Sequence, residues 1–523
     1  AGESPAVRAL WLAGPLLLLA AYAPARRRGR PAASQPQATW WEWVLLAILT
    51  AIAFALRTWQ LTTIPGNIDG DITVLGREAS KLIGQPLWIG VGYFQFPQFR
   101  TMLAAWSMSL FGQNLYGLFL GSALIGSATV AAVFWLGREL FDRRVGLLAA
   151  ALLTISYTHN HLSRIVIPTT ALLIITLLFG FLWRGLRTRQ GVWFALAGIL
   201  LGLCPLTYYS ARLAFVILIL FMLWSLFWNR SQLTAQLSLW GTLLFGALLA
   251  FGPMLVFAGR NVSAFMGRTS EVTLANPVVY EHLLAKYGVS TLPALLVQQI
   301  ERTLFTFHLF SDTSPQFAFP GPMLDWLTAA LLTLGLGLAL ARLREARSFL
   351  LVSWFAVALL LGGIVTNDPP NWIHLSIVLP VVVILAAQAG LHLLSLLAQP
   401  LPYYSRLALL GLLLVTLGVV GANNWQAYAA WSASSIGPRS SIARFVSQLP
   451  RDYQILMVRE PFSWQDSEFQ FLNHSTNGRG ITVEEIRSGA LPPASGPVAF
   501  IVPSEQRDLL PVLQTAYPDG VLR

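Results

Sequence analysis

The chain has 523 residues, of which 55% are hydrophobic and only 11% are charged, and its mean hydropathy is +0.61. Soluble proteins keep one face of most elements polar, so this composition excludes a soluble globular protein and indicates a polytopic membrane protein. The formal net charge of +11 does not indicate nucleic-acid binding, because the basic residues are dispersed between apolar runs. The single cysteine, Cys204, excludes an intrachain disulfide and a cysteine-based metal cluster.

Apolar runs of about 18 residues or more predict membrane-spanning helices. In chain order, the predicted spans are 9–24, 40–56, 115–137, 145–163, 165–183, 192–209, 212–228, 238–258, 323–341, 348–366, 372–397 and 405–422. Arginine clusters follow alternate spans, and the positive-inside rule places them in the cytoplasm. These clusters are Arg26–Arg30, Arg138–Arg144, Arg184–Arg189 and Arg342–Arg347. The pattern predicts a multi-pass protein of the cell membrane.

Two long loops, 57–114 and 259–322, are predicted on the opposite, extracytoplasmic face. After residue 422, helical and strand-like periods alternate without a run of span length. We therefore divide the chain into a transmembrane domain, 1–422, and a small soluble α/β domain, 423–523, on the outer face. The predicted fold class is an α-helical polytopic membrane protein of about 11–12 transmembrane helices with this soluble domain attached.

Four polar clusters map to the outer boundary of the membrane. They contain Asp69 with Asp71, His161 with Arg164, Tyr209 with Arg212, and Asn371 with His374. Two carboxylates one residue apart predict a site that binds a cation or removes a proton. Charged groups at membrane depth are costly and usually face a cavity or a partner. Because Arg grips phosphate bidentately, several Arg and His side chains opposite a carboxylate loop predict a lipid-phosphate substrate.

Structural roles compete with these chemical ones. Asp69 can cap a helix predicted over 71–83, and Asp71 is favourable in the first turn of such a helix. Arg164 and Arg212 stand at span ends, where arginines commonly extend to lipid headgroups. The grouping of these residues with adjacent His and Tyr side chains favours a site over the structural interpretation.

Several motifs resemble those of a known family. They are Gly70-Asp71-Ile72, the segment from Gly137 to Ala150, His159-Asn160-His161-Leu162-Ser163-Arg164, Tyr208-Tyr209-Ser210-Ala211-Arg212, and Pro370-Asn371 with His374. This order resembles the GT-C superfamily of membrane glycosyltransferases, in the branch of protein mannosyltransferases and aminoarabinose transferases (glycosyltransferase family 39-like). In that branch an acidic residue usually follows the loop aspartate and Arg is common at the later motif; Ile72 and His374 stand at these positions here.

The resemblance implies a fold and a reaction. The enzyme would move a sugar, with inversion, from a polyprenyl-phosphate donor in the membrane lipid to a hydroxyl of an acceptor protein, lipid or glycan. Asp71 would be the general base, with Asp69 as a second carboxylate. The residues implied in binding the lipid phosphate or sugar are His161, Arg164, Tyr209, Arg212, Asn371 and His374. A divalent metal ion between the two aspartates and the phosphate stays open, as do partners in a membrane complex.

Two other functions remain open at this stage. The absence of an acid at Ile72 is compatible with a catalytically degenerate subunit that serves as a scaffold in a larger membrane complex. A transporter of a lipid-linked substrate also needs charges that face a cavity, but it usually places them at the membrane midplane and in repeated halves. The polar clusters lie at one boundary, which favours the transferase.

Overall fold

The computed structural model describes residues 5–22, 39–68, 70–165, 169–314, 319–491 and 496–522. Within them, the long helices follow the apolar runs of the sequence. The helices of the first half are α1 Pro5–Tyr22, α2 Trp40–Thr58, α3 Asp71–Ser80, α4 Gln98–Phe111, α5 Leu115–Leu140, α6 Arg143–Ile155, α7 Tyr157–Arg164, α8 Thr169–Thr188, α9 Gly191–Thr207, α10 Leu213–Trp228, α11 Arg230–Ala235 and α12 Leu237–Arg260. Short 3-10 turns cover Tyr93–Gln95 and Tyr209–Arg212.

The second half begins after α12. Its helices are α13 Val262–Glu271, α14 Pro277–Tyr287, α15 Leu292–Leu304, α16 Trp326–Leu340, α17 Ala346–Leu359, α18 Trp372–Leu375, α19 Leu379–Ala398, α20 Tyr403–Ser434, α21 Pro438–Val446, α22 Ser467–Leu472, α23 Val483–Arg487 and α24 Leu510–Ala516. Its strands are β1 Gln454–Val458, β2 Gly478–Ile481 and β3 Val498–Ile501. A π-helical turn covers Leu360–Ile364, and 3-10 turns cover Phe305–Phe307, Ser376–Val378 and Ser504–Leu509.

The predicted helical membrane architecture is confirmed, with a smaller number of long spans. Within the described residues, nine helical stretches are long and apolar enough to cross a membrane, and α9 and α16 are shorter apolar helices. The predicted span 145–163 is not continuous, because the chain is extended at Ser156 between α6 and α7. The Ser156 hydroxyl accepts a hydrogen bond from the His159 N–H and so begins a new helix.

Buried ion pairs bring the arginine-rich loops together at one end of the bundle. Glu42, in the first turn of α2, lies 3.5 Å from Arg138 and 3.1 Å from Arg143, and Glu139 lies 2.8 Å from Arg184. The start of α2, the end of α5 and the end of α8 therefore share this end, as the alternation of the predicted spans requires. The cluster between the first two spans lies outside the described residues.

The opposite end carries α3, which the sequence predicted as a helix over 71–83, and α4, which lies in a segment that the sequence predicted only as a loop. At 14 residues, α4 is too short to cross a membrane. It starts beside Phe96, which stacks on Tyr208 at 6.2 Å, and it ends at Gly112, just before α5. The Ser107 hydroxyl of α4 donates to the Gly117 carbonyl, so α4 lies against the first turns of α5. The helix thus packs beside the start of α5 at this end of the bundle.

The C-terminal residues form the predicted small α/β unit, whose three-stranded parallel sheet has the order β2-β1-β3. Alternate residues of β1 face opposite sides: Ile455 and Met457 pack with α21 and α22, while Leu456 and Val458 pack with α23 and the last helix. The helix α20 continues through the predicted boundary at residue 422, so this unit follows a longer helix than the sequence indicated.

The α/β unit packs against α3 through a close contact between Gly76 and the Phe471 ring. A methyl group at Gly76 would lie 2.7 to 2.9 Å from three ring atoms. We expect Gly76→Ala to destabilise the protein by about 1–3 kcal/mol, because the packed ring cannot move away without strain. Thermal unfolding of the purified protein in detergent measures this loss.

The control for that substitution is Gly411→Ala in α20, where an added methyl group meets no atom within 4 Å. Alanine has the higher helix propensity, so this variant is expected to unfold at the wild-type temperature or above it. Equal unfolding temperatures for Gly76→Ala and Gly411→Ala would contradict the proposed contact.

Candidate active site

The end of the bundle opposite the arginine-rich loops contains aromatic side chains from two segments that are distant in the chain. The segment before α4 contributes Tyr93 and Phe96, and the segment after α9 contributes Tyr208 and Tyr209. The Phe96 ring centroid lies 5.6 Å from Tyr93, 6.2 Å from Tyr208 and 5.5 Å from Tyr209. We call these four residues the aromatic cluster. Buried rings lower the local dielectric, which strengthens the electrostatic effect of any charge beside them.

Arg100 is a buried cation against this aromatic cluster. Its side chain is only 4% exposed, and its Cζ lies 4.2 Å from the Phe96 ring centroid. Its Nη2 donates to the Tyr93 hydroxyl at 2.8 Å, whereas its Nε and Nη1 are buried with no hydrogen-bond partner in the described structure. Buried donors of a charged group are costly to leave unpaired. An anion that occupied this position would satisfy them.

Two further arginines border the cluster. Arg268 of α13 lies 5.4 Å from the Phe96 ring centroid and is paired with Glu271 at 3.2 Å. The Arg212 Cζ lies 5.2 Å from the ring centroid of Tyr209, and its Nη1 donates to the Thr269 hydroxyl at 3.2 Å. Its Nε is buried without a hydrogen-bond partner in the described structure. The end of α13 and the Tyr209–Arg212 turn thus bring two more cations to the same aromatic cluster.

Asp71 shares an electrostatic environment with these cations. Burial raises the pKa of the Tyr93 hydroxyl to about 12; Arg100 and Arg268 act to lower that pKa, whereas Asp71 and Glu78 act to raise it. Two cations and two carboxylates therefore lie within electrostatic reach of one hydroxyl group. At neutral pH, Tyr93 stays protonated and can donate a hydrogen bond.

Asp71 is the first residue of α3, as predicted, and its side chain is partly exposed. In the part of the chain that the structure describes, its carboxylate has no hydrogen bond and no ion pair. The helix begins after Gly70, which has a φ of 58° and occupies the N-cap position that the structural interpretation gave to Asp69. Asp69 itself lies outside the described residues. A carboxylate at a helix N-terminus without a protein partner is available to a substrate hydroxyl.

His374 and Asn371 lie at the border of this site. The Asn371 side chain accepts a hydrogen bond from the His374 N–H at 3.2 Å and so caps α18. The His374 Nδ1 is buried without a hydrogen-bond partner in the described structure, and its ring lies within electrostatic reach of Arg268 and Asp368. A binding role of His374 stays a prediction, whereas Asn371 has an evident structural role as the cap of α18.

Arg164 is not brought into this cluster. It is fully buried, and its three guanidinium nitrogens donate to the backbone carbonyls of Leu56, Trp59 and Ile64 at 2.6 to 3.1 Å. A guanidinium committed to carbonyl oxygens of its own chain is not available to grip a phosphate. We therefore reassign Arg164 from phosphate binding to holding the segment that joins α2 to α3.

His161 lies with Arg164 on this buried helix. Its Nδ1 is 3.4 Å from the Tyr428 hydroxyl oxygen, and its ring centroid is 5.3 Å from that of Trp431. Both aromatic residues belong to α20, so His161 joins α7 to α20. His161 and Arg164 thus lie on one short helix, as their grouping in the sequence indicated, and both of their side chains pack in the core.

The arginine-rich end of the bundle is a weaker candidate for catalysis. Cavities of about 310 and 480 Å³ lie there. However, the carboxylates of Glu42 and Glu139 are held in ion pairs, and Asp142 accepts hydrogen bonds from the first N–H groups of α6. These three carboxylates are committed to structure, so we place the site at the end that carries Asp71.

The described residues, which do not include Asp69, contain no group of three or more His, Cys, Asp or Glu side chains that could hold a metal ion. A divalent ion at the aspartate pair therefore stays a prediction.

Sequence reasoning missed Tyr93, Arg100 and Arg268 as site residues. A signal was present for the first two, because the segment from Tyr93 to Arg100 contains four aromatic residues and ends in Arg. Arg beside aromatic rings is a common cation–π arrangement. Arg268 carries no such local signal, since its aromatic partner Phe96 is distant in the chain.

Comparisons with known proteins agree with this fold. Residues 97–257 match the model of a protein family described as dolichyl-phosphate-mannose-protein mannosyltransferase. ArnT from Cupriavidus metallidurans in the apo state is similar in structure, with a TM-score of 0.56 and 14% sequence identity over 92% of this chain and 89% of that chain. The same protein bound to undecaprenyl phosphate gives a TM-score of 0.55 at 14% identity, over 93% and 90% of the two chains.

The archaeal oligosaccharyltransferase AglB from Archaeoglobus fulgidus, in complex with an inhibitory peptide and a dolichol-phosphate, gives a TM-score of 0.48 at 16% identity. The match covers 84% of this chain and 64% of AglB, so this chain spans less than two thirds of that protein. No curated protein sequence matches. The comparisons confirm the predicted resemblance to GT-C membrane glycosyltransferases at the level of the fold.

Proposed function

We propose that this protein is a membrane glycosyltransferase that moves a sugar from a polyprenyl-phosphate donor to an acceptor hydroxyl on the extracytoplasmic face of the cell membrane, with inversion. The observation that supports the proposal is Arg100, a buried cation that lies against the aromatic cluster and has two nitrogens without a hydrogen-bond partner in the described structure. Arg100 and Asp71 both lie within electrostatic reach of the Tyr93 hydroxyl. A lipid phosphate supplies the anion that this cation lacks.

The phosphate is assigned to Arg100, Arg268 and Arg212. Arg100 offers Nε and Nη1, and Arg212 offers Nε, so each can add charge-assisted hydrogen bonds without losing the contacts it already makes. Arg268 adds charge, and the ring of His374 lies within its electrostatic reach. This assignment replaces Arg164 and His161 with residues whose donors are available.

Asp71 is assigned as the general base. Its carboxylate removes the proton of the acceptor hydroxyl while the acceptor oxygen attacks the anomeric carbon. The bond from that carbon to the phosphate oxygen breaks, and both of its electrons leave with the polyprenyl phosphate. The arginines stabilise the charge that develops on this leaving group. A single displacement from the opposite side inverts the anomeric centre.

Tyr93 and Tyr209 complete the site in different ways. The Tyr209 hydroxyl donates to the Gln95 carbonyl at 3.1 Å, which fixes the segment that carries Phe96 and Arg100. The Tyr93 hydroxyl accepts a hydrogen bond from Arg100 and keeps its own proton, with which it can donate to a phosphate or sugar oxygen. Tyr209 therefore positions the site, and Tyr93 is the one placed to contact substrate.

The similar proteins guide the choice of probe. The matching family is described by a dolichyl-phosphate-mannose donor, and ArnT from Cupriavidus metallidurans was solved with undecaprenyl phosphate. We therefore expect undecaprenyl or dolichyl phosphate to bind the purified protein and raise its unfolding temperature, since a ligand that binds only the native state stabilises it. Sugar transfer is then measured in proteoliposomes that contain candidate polyprenyl-phosphate sugars.

Release of polyprenyl phosphate in step with loss of the donor sugar is the expected result. A protein that neither binds lipid phosphate nor consumes any donor, but copurifies with stoichiometric membrane partners, would instead support the scaffold alternative. Ile72 alone does not favour the scaffold, because its side chain is 2% exposed and packs in the hydrophobic core. An acidic side chain at this position would not face the site.

A further inference from the structure

The segment that leads into α3 is hydrogen-bonded by residues that follow the transmembrane helices. We call residues 62–68 together with Gly70 the Asp71 loop, because Asp71 follows it directly. Arg444 of α21 donates from Nε to the Gly66 carbonyl at 3.2 Å and from Nη2 to the Pro65 carbonyl at 3.0 Å, and its Nη1 donates to the Thr62 carbonyl. One guanidinium thus satisfies three backbone carbonyls of the loop.

Serine side chains hold the middle of the same loop. The Ser440 hydroxyl of α21 accepts from the Ile68 N–H at 3.0 Å and donates to the Asn67 side-chain oxygen at 2.9 Å. The Ser432 hydroxyl of α20 accepts from the Gly66 N–H at 3.2 Å. A Cβ at Gly66 would lie 2.4 Å from the Ser432 carbonyl oxygen, so the backbones approach too closely for any other residue.

Glu468 holds the residue that precedes Asp71. Its side chain is 2% exposed, and its Oε1 accepts from the Gly70 N–H at 3.3 Å. The neighbouring Ser467 hydroxyl donates to Glu468 Oε2 at 3.2 Å and lies 2.8 Å from the Thr73 hydroxyl. Within the described residues, no cation lies within ion-pair distance of the Glu468 carboxylate. Burial of a carboxylate without a cation costs free energy. The hydrogen bonds from the Gly70 N–H and the Ser467 hydroxyl offset part of this cost and hold the Glu468 side chain at the start of α3.

We propose that Arg444 and Glu468 are positioning residues of the transferase: from the α/β unit, they hold the Asp71 loop so that the Asp71 carboxylate points at the acceptor. This inference rests on the proposed function. The Asp71 carboxylate has no hydrogen bond in the described structure, so its direction is set by the backbone on either side of it. That backbone is fixed by Glu468 before α3 and by the Thr73 contact within it. The soluble unit is therefore a required part of the active site.

The first test compares two substitutions of Glu468. Glu468→Ala removes the acceptor of the Gly70 N–H and is expected to lower the transfer rate about tenfold to a hundredfold with an unchanged KM for the donor, because a small misplacement of a reacting group costs rate. Glu468→Gln keeps an acceptor oxygen and is expected to restore most of the rate. The control is Glu484→Gln, an exposed carboxylate of the same unit.

The second test is independent of Glu468. Arg444→Lys keeps the charge but offers one nitrogen in place of three, so it is expected to release at least one loop carbonyl and to lower the transfer rate in the same way. Its control is Arg487→Lys, because Arg487 forms an exposed ion pair with Asp508. Wild-type transfer rates in both Glu468→Ala and Arg444→Lys would overturn the proposal.

Hydrogen exchange separates a failure of this inference from a failure of the proposed function. In Glu468→Ala and Arg444→Lys, the amides of Gly66, Ile68 and Gly70 are expected to lose protection while those of β1 keep it. Unchanged loop protection would overturn the inference, and so would a released loop in a variant of full transfer rate. If the wild-type protein consumes no polyprenyl-phosphate sugar at all, the proposed function fails, and the exchange data still decide whether these residues hold the loop.

Discussion

Replacing Asp71 with asparagine is expected to lower the rate of sugar transfer by about 10²–10⁴-fold, which is the usual contribution of a positioned general base. Asparagine has the shape of aspartate but cannot take up the proton of the acceptor hydroxyl. The folded state should lose little, because the Asp71 carboxylate is partly exposed and has no hydrogen bond or ion pair in the described structure. The loss should therefore appear in the transfer rate and not in the unfolding temperature.

Two measurements make this expectation specific. The affinity for undecaprenyl phosphate should be unchanged, since the phosphate is assigned to arginines. Transfer in proteoliposomes should fall in Asp71→Asn and stay at the wild-type rate in Asp452→Asn, which changes an exposed aspartate of the α/β unit. A fully active Asp71→Asn protein would exclude Asp71 as the base and would move the search to Asp69.

Replacing Arg100 with glutamine is expected to lower the transfer rate by about 10²–10³-fold, as the removal of one donor to a developing charge does in other enzymes. The affinity for polyprenyl phosphate should fall as well, because Arg100 offers two buried nitrogens to the phosphate. This combined loss differs from the effect of Asp71→Asn, which spares binding. Binding and transfer measured on the same preparations distinguish the two roles.

Stability provides a further check on Arg100. In the described structure this buried cation has no carboxylate partner within ion-pair distance, and burial of such a charge is costly. Arg100→Gln is therefore expected to unfold at the wild-type temperature or above it. The matched control is Arg451→Gln, an exposed arginine of the α/β unit, which should change neither binding nor transfer. A destabilised Arg100→Gln protein with normal lipid-phosphate affinity would show that Arg100 serves the fold.

The contrast between Arg100 and Arg164 shows that the sequence does not predict the hydrogen-bond partners of a buried arginine. Both are buried arginines, and the motif pattern selected Arg164. The two differ in their hydrogen-bond partners. The guanidinium nitrogens of Arg164 donate to backbone carbonyls between α2 and α3. Arg100 lies against the Phe96 ring, and two of its nitrogens have no hydrogen-bond partner in the described structure. A sequence shows that an arginine is present but not which acceptors reach it.

The helical architecture was predictable because the membrane imposes it locally. Apolar runs of sufficient length must form helices in lipid, so the spans could be read from hydropathy alone. The break at Ser156 and the short helix α4 were missed because they depend on packing at the end of the bundle that carries α3 and not on hydropathy. Asp71, Tyr209 and Arg212 were placed at this end because they lie at or beyond the ends of predicted spans.

By itself, the sequence determined a polytopic helical membrane protein and its resemblance to a family of lipid-phosphate-dependent transferases, and it predicted an outer position for the carboxylate loop. Only the tertiary structure decided which cations remain available and which residues hold Asp71 in place. Hydropathy depends on residues that are adjacent in the chain, and so it can be calculated from the sequence alone. The contact of Gly70 with Glu468 and that of Phe96 with Arg268 join distant parts of the chain, and no local pattern records them.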